Sequence, residues 1–166
     1  MTGLITDTGR FQYSNTDNEV FEIASKLMLS GAELTSISDN IYGSIPMNAI
    51  KLQSEVLNRI ELHEEEELVV SYVLQEDYLN YNIESSETDF LIDSIRLVKE
   101  SSVALLLKEQ EDKSFKGSLR SRNALDVQQI ASLFGGGGHK AAYGFYTNLS
   151  MEEIKNKVKN AIKSQV

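Results

Sequence analysis

Four consecutive glycines, Gly135 to Gly138, followed at once by His139 and Lys140, interrupt the chain between two patterned segments. Upstream, Val127, Ile130, Ala131 and Phe134 recur at helical spacing, and downstream Ala141 to Thr147 reads as a strand. Glycine favours neither element, so the spacing predicts a helix ending and a strand beginning around this run. The same run lets backbone N–H groups approach an anion closely, because consecutive amides can form a concave nest for phosphate oxygens. His139 adds a directional donor at the rim, and the small Ala141 and Ala142 leave room for a close neighbour. The plain alternative is a flexible loop with an incidental histidine, and the attached His139 and Lys140 weigh against it.

The remaining pattern predicts a mixed α/β fold. Thr16 and Glu19 are spaced as a capping box ahead of Val20, Ile23, Ala24, Leu27 and Met28, with Gly31 as a stop. Leu34 to Gly43 reads as a linker helix. After Pro46, the residues Ala49, Leu52, Val56 and Ile60 mark a packed helix. Leu68 to Leu74 and Tyr78 to Ile83 are rich in Val, Leu and Tyr around Gln75-Glu76-Asp77, which predicts a strand hairpin. Phe90, Leu91, Ile95 and Val98 return to helical spacing. Val103 to Leu107 and Lys116 to Arg120 read as strands around a polar turn, and Ser150 with Glu153 caps a last helix carrying Ile154, Val158 and Ile162. The order implies a mixed sheet flanked by helices. Thr2 to Ser30 offers too little apolar surface to fold alone and reads as the edge of another domain.

Charge is uneven along the 166 residues. The formal net charge of -9 argues against general polyanion binding, yet Glu61 to Asp93 holds eleven Asp or Glu without Lys or Arg, whereas Lys113 to Lys140 holds five basic residues against Asp126 alone. An anion belongs with the second stretch, and the first reads as a solvated face. The absence of cysteine excludes disulfides and thiolate metal sites, and no apolar run is long enough for a membrane helix. A cytoplasmic protein without a membrane partner is the expectation.

Two further segments carry chemistry. In Gly117-Ser118-Leu119-Arg120-Ser121-Arg122, strand alternation puts Ser118, Arg120 and Arg122 on one face, where a guanidinium fork suits two phosphate oxygens. In Thr6-Asp7-Thr8-Gly9-Arg10-Phe11, a carboxylate sits in a hydroxyl-rich, turn-like segment of the kind a hard divalent cation uses, although one Asp builds no site by itself. Read without relatives, Asp7 is a turn or capping residue. His63, beside a Glu run, reads as a surface residue.

These three segments, in this order and spacing, resemble the DHH-family phosphoesterases with a DHH-associated C-terminal domain, in particular the branch of nano-RNases and 3′,5′-bisphosphonucleotide phosphatases. The resemblance implies a metal-dependent hydrolase of short oligoribonucleotides or bisphosphonucleotides. It gives Asp7 the role of a catalytic, metal-ligating carboxylate in a two-Mn²⁺ site. It makes Ser118, Arg120, Ser121, Gly135, Gly136, Gly137, Gly138 and His139 substrate-binding residues. It further implies that residues 1–31 end a DHH catalytic domain, that 32–45 form a linker helix, and that 46–166 form the associated domain. The family's earlier metal motifs, His-x-Asp, Asp-x-Asp and Asp-His-His, are absent, so the chain reads as a C-terminal fragment, inactive alone, whose partners are a short RNA or nucleotide and the DHH domain of the same parent. The resemblance also leaves room for a homodimer. The competing readings are a cyclic-dinucleotide phosphodiesterase fragment, a non-catalytic nucleotide or RNA-end binding module, and an editing domain of the tRNA-synthetase type.

Overall fold

Leu68–Val73 and Val103–Glu109 are almost continuously apolar, the pattern of strands covered on both faces, whereas Phe115–Ser121 alternates buried and half-exposed positions. The computed structural model describes residues 1–13, 15–122, 125–135, 137–139 and 142–165. They divide into two compact units, Met1–Pro46 and Met47–Val166.

The first unit holds α1 (Thr2–Asp7), α2 (Asn18–Leu29) and α3 (Leu34–Tyr42). The cap of α2 is Asp17, whose carboxylate accepts the Val20 N–H at 3.0 Å, and not the Thr16 and Glu19 pair that the spacing predicts. Both are good N-cap types, and a one-residue shift keeps the apolar stripe in place.

The second unit comprises α4 (Met47–Asn58), β1 (Glu61–His63), β2 (Leu68–Val73), α5 (Gln75–Tyr81), α6 (Leu91–Ile95), β3 (Val103–Glu109), β4 (Phe115–Ser121), α7 (Val127–Ser132), β5 (Gly137–His139), β6 (Ala142–Thr147) and α8 (Met151–Lys163). The strands form one six-stranded sheet in the order β1-β2-β3-β4-β6-β5. Strands β2 and β3 are parallel, joined by the crossover through α5 and α6, and every other neighbouring pair is antiparallel. This is the mixed α/β fold expected. On one face Leu105, Leu119, Tyr143 and Phe145 pack with Ile130 of α7 and Ile154, Val158 and Ile162 of α8. On the other, Val69, Val73, Ala104 and Leu106 pack under Leu52 and Val56 of α4, Tyr78 of α5 and Leu91, Ile92 and Ile95 of α6. That second layer draws its buried sheet residues from β2 and β3 only, which leaves β4 and β6 open on the same face.

The hairpin expected over 68–83 is not formed: Gln75–Tyr81 is a helix. Strand β2 already has β1 on one edge and β3 on the other, so no edge remains for a returning strand. The first turn of α5 is held by Asp77, which accepts the Leu74 N–H at 2.7 Å and a two-pronged ion pair from Arg59 at 2.6 and 2.9 Å. Asn82 ends the helix at a φ of 46°. Tertiary contacts thus override the strand propensity of Tyr78 and Tyr81.

Candidate functional site

The open part of the sheet is built by register. Arg120 pairs with Ala142, and Ala142 with His139, so the three lie in one row across β4, β6 and β5. Two strand spacings put the Arg120 and His139 backbones roughly 10 Å apart. The next row is Ser118, Gly144 and Gly137, and the one beyond is Lys116 and Tyr146. Because Tyr143 and Phe145 are in the core, alternation turns Gly144 and Tyr146 to the opposite, open face. Tyr146 is 61% exposed, while Lys116, Ser118 and Arg120 are half-buried. A Cβ added at Gly144 would meet nothing closer than the Gly117 carbonyl at 3.8 Å, so the middle row is a floor of small residues with free space above it.

Cations gather at one end of this face. Arg96, Arg120 and Arg122 stand around a narrow crevice with Ser101, Ser102 and Ser121, where β3 starts and β4 ends. The Arg120 guanidinium donates to the Leu119 carbonyl at 3.0 Å, which leaves further N–H groups of its fork. Arg122 lies just past β4, where its side chain donates to the Val98 carbonyl at 3.1 Å and its backbone N–H to the Ser102 carbonyl at 3.0 Å. It braces the strand end more than it extends the Ser118 and Arg120 row.

At the far end the sign reverses. A groove of ≈ 1060 Å³ opens beside Tyr146, and its described lining includes Glu84, Glu87, Glu111 and Asp112 with no Lys or Arg. The exposed Leu79 also borders it. Behind the groove, Lys108 is fully buried and donates to Asp89 at 2.6 Å and to Thr88 at 3.1 Å. Burial holds this ammonium below the usual lysine range, although Asp89 opposes the shift.

The glycine run differs in part from the expected nest. Gly137 to His139 form an extended edge strand paired with β6. In a strand successive N–H groups point to opposite sides, so those facing away from β6, and not a continuous series, are available to a ligand. Gly135, at the end of the α7 segment, has a φ of 69° that side chains other than glycine rarely adopt. Gly136, Lys140 and Ala141 lie outside the described residues. Tyr146 and Gly144 share the open face and are not among the site residues expected from the sequence. The alternation Tyr143, Phe145 against Gly144, Tyr146 is the signal that carries them, once the buried face is known.

Asp7 lies in the other unit, exposed at the C-terminal end of α1 and not in a simple turn. Gly9, Arg10 and Phe11 follow at φ values of 54°, 61° and 63°. Two non-glycine residues in this region cost roughly 1–3 kcal/mol each, so contacts must hold the turn. Thr8 supplies them, donating from its hydroxyl to the Leu4 carbonyl at 2.6 Å and accepting the Phe11 N–H at 3.1 Å. Arg10 adds a cation–π contact, 3.8 Å from the centre of the Tyr42 ring. The Asp7 carbonyl accepts from the Asn15 amide at 3.0 Å. Among the described residues no group of three His, Cys, Asp or Glu is arranged to hold a metal ion. Asp7 therefore offers a single carboxylate, with no such group around it among the described residues.

Among the described residues no helix is long and apolar enough to cross a membrane. The chain is 32% identical, over its whole length, to the bifunctional oligoribonuclease and PAP phosphatase NrnA of Thermus thermophilus, of which it spans 49%. It is 28% identical over 97% of its length to the probable enzyme of the same name from Streptococcus mutans, spanning 52% of that protein. The chain thus spans about half the length of these curated relatives. A crystal structure of an exopolyphosphatase-related protein from Bacteroides fragilis shares the fold, with a TM-score of 0.87 at 23% identity over 97% of this chain and 47% of that one. The DHHA1 domain family model matches residues 65–164, the greater part of the chain, which therefore belongs to the DHHA1 domain family.

Proposed function

We propose that this chain is the substrate-holding part of a phosphoesterase that hydrolyses short oligoribonucleotides or 3′,5′-bisphosphonucleotides, and that the open sheet face is where the substrate lies. The observation that carries this reading is the row Arg120, Ala142, His139 beside the small floor of Ser118, Gly144 and Gly137. A guanidinium fork can take two oxygens of a terminal phosphate, and the edge-strand amides near His139 can donate to the same group. Ser121 follows Arg120 in β4 and Gly138 precedes His139 in β5, and Gly135 and Gly136, of the same glycine run in the sequence, complete the proposed set. The floor accepts a sugar or base without steric conflict. The names of the Thermus thermophilus and Streptococcus mutans relatives, each an oligoribonuclease and PAP phosphatase, support the reaction class.

In this reading residues 1–31 belong to a DHH domain, 32–45 are the linker and 46–166 the associated domain. Asp7 contributes one carboxylate to a Mn²⁺ pair whose other ligands come from elsewhere in the complete protein. When bound, such a pair would supply activation of water and charge stabilisation at phosphoryl oxygens. The 166-residue chain is then a binder without turnover.

The test is affinity for a 5′-phosphorylated dinucleotide, with and without its terminal phosphate. Arg120→Ala is expected to cost about 1.5–3 kcal/mol with the phosphate present, the range for a hydrogen bond to a charged group, and little without it. Normal binding by Arg120→Ala, together with indifference to the phosphate, would remove this face as the substrate site.

A further inference from the structure

We propose that the open face also measures substrate length, with Tyr146 as a base-stacking platform and the acidic groove behind it as the barrier that ends the strand. This rests on the preceding reading of the face as a nucleotide site. Three observations meet here.

The first is distance. From the Arg120 row to the Tyr146 row runs four residues along β6, Ala142 to Tyr146. At about 3.4 Å per residue that is roughly 14 Å. A stacked strand advances about 3.4 Å per nucleotide, so the face holds about four nucleotides, and fewer when the bases splay apart.

The second is the exposed aromatic itself. Tyr146 is 61% exposed on a face otherwise floored by Ser118 and Gly144, a placement that apolar burial does not explain. Every base has a π-face, and an exposed ring at a fixed distance from a phosphate-binding arginine is the arrangement that single-strand binders use. Lys116, directly opposite Tyr146 in the register, is drawn toward Asp89 at 3.7 Å, so the ring and not the ammonium is the main handle there.

The third is the change of sign. Tyr146 also lines the groove that carries Glu84, Glu87, Glu111 and Asp112. A strand anchored at Arg120 and stacked on Tyr146 would send its next phosphates over these four carboxylates. Like charges in a concave site repel, and the lysines of β3, β4 and the turn between them are each paired with a carboxylate: Lys113 with Glu109 at 3.2 Å, Lys108 with Asp89 at 2.6 Å and Lys116 with Asp89 at 3.7 Å. The same face attracts the first phosphate and rejects later ones.

The experiment is binding of 5′-phosphorylated oligoadenylates of one, three and eight nucleotides to the full chain at low salt. Two variants are compared with the native chain, Tyr146→Ala and the pair Glu84→Gln with Glu111→Gln, each checked by circular dichroism. The native chain is expected to bind the trimer more tightly than the monomer and the octamer no more tightly than the trimer. Tyr146→Ala should weaken the trimer about tenfold and leave the monomer unchanged. The double Gln variant should bind the octamer several-fold more tightly than the native chain does, with the trimer little altered. The length reading is overturned if the native chain already gains affinity from trimer to octamer as the double variant does, or if Tyr146→Ala leaves the trimer untouched. Those results differ from failure of the site itself, which shows as monomer binding that ignores both the phosphate and Arg120→Ala.

Discussion

At the scale of single residues, glycine is used for two different ends. Gly144 keeps the open face clear, whereas Gly117, one position along β4 from Ser118, faces the core. A Cβ there would overlap the Phe145 ring, which is buried and stacked on Phe134 at 4.2 Å between ring centres. Gly117→Ala is expected to lower stability by about 1–3 kcal/mol, the usual cost of overpacking, because Phe145 has no free space to move into. Gly144→Ala should cost far less in stability and impair nucleotide binding instead. Urea unfolding of the two variants separates them. Ser118, Arg120 and the glycine run are legible in the sequence because their residue types are chemically distinctive. Tyr146 is not, because an aromatic in a strand is more often core, and only the pairing of β4 with β6 shows that its neighbours Tyr143 and Phe145 take that role.

At the scale of elements, the sequence reading is sound wherever local pattern and tertiary demand agree. Helix α8 is such a case: Ser150 and Glu153 form the expected reciprocal cap, and Ile154, Val158 and Ile162 are buried. It misses α5, whose strand-like composition is overruled by an ion pair that spans 18 positions. Burial pushes the Asp77 carboxyl upward, but the Arg59 fork and the Leu74 N–H outweigh it and hold the group below the usual aspartate range. A carboxyl with a lowered folded pKa contributes stability that is present above its unfolded pKa, about 4, and is lost as pH falls through the folded value. Arg59→Met leaves Asp77 buried without its partner and is expected to cost about 3 kcal/mol at pH 7, the low end for a broken buried pair because Arg59 is partly exposed. In the variant Asp77 becomes easier to protonate. The deficit should therefore shrink between pH 5 and pH 3, and a constant deficit in urea titrations across that interval would assign the loss to packing alone.

At the scale of the whole second unit, charge and topology are arranged along one direction. The arginines stand where β3 begins and β4 ends, the carboxylates of the groove stand where β3 ends and β4 begins, and the helices α7 and α8 close the other face. The uneven charge of the chain is legible in its sequence, but the two ends of this face are not its two charged stretches: Glu111 and Asp112 of the groove lie between them, and the Glu67 carbonyl accepts the Ser102 N–H at 2.8 Å at the arginine end. The most direct measurement of the central claim is a heteronuclear NMR titration of the full chain with a 5′-phosphorylated dinucleotide. Saturable shifts are expected at the amides of Ser118, Arg120, Ser121, Gly144 and Gly137 to His139, with α8 silent, and they should vanish when the terminal phosphate is removed. Shifts centred on α7 and α8, or the same shifts without the phosphate, would contradict the assignment of the open sheet face as the nucleotide site.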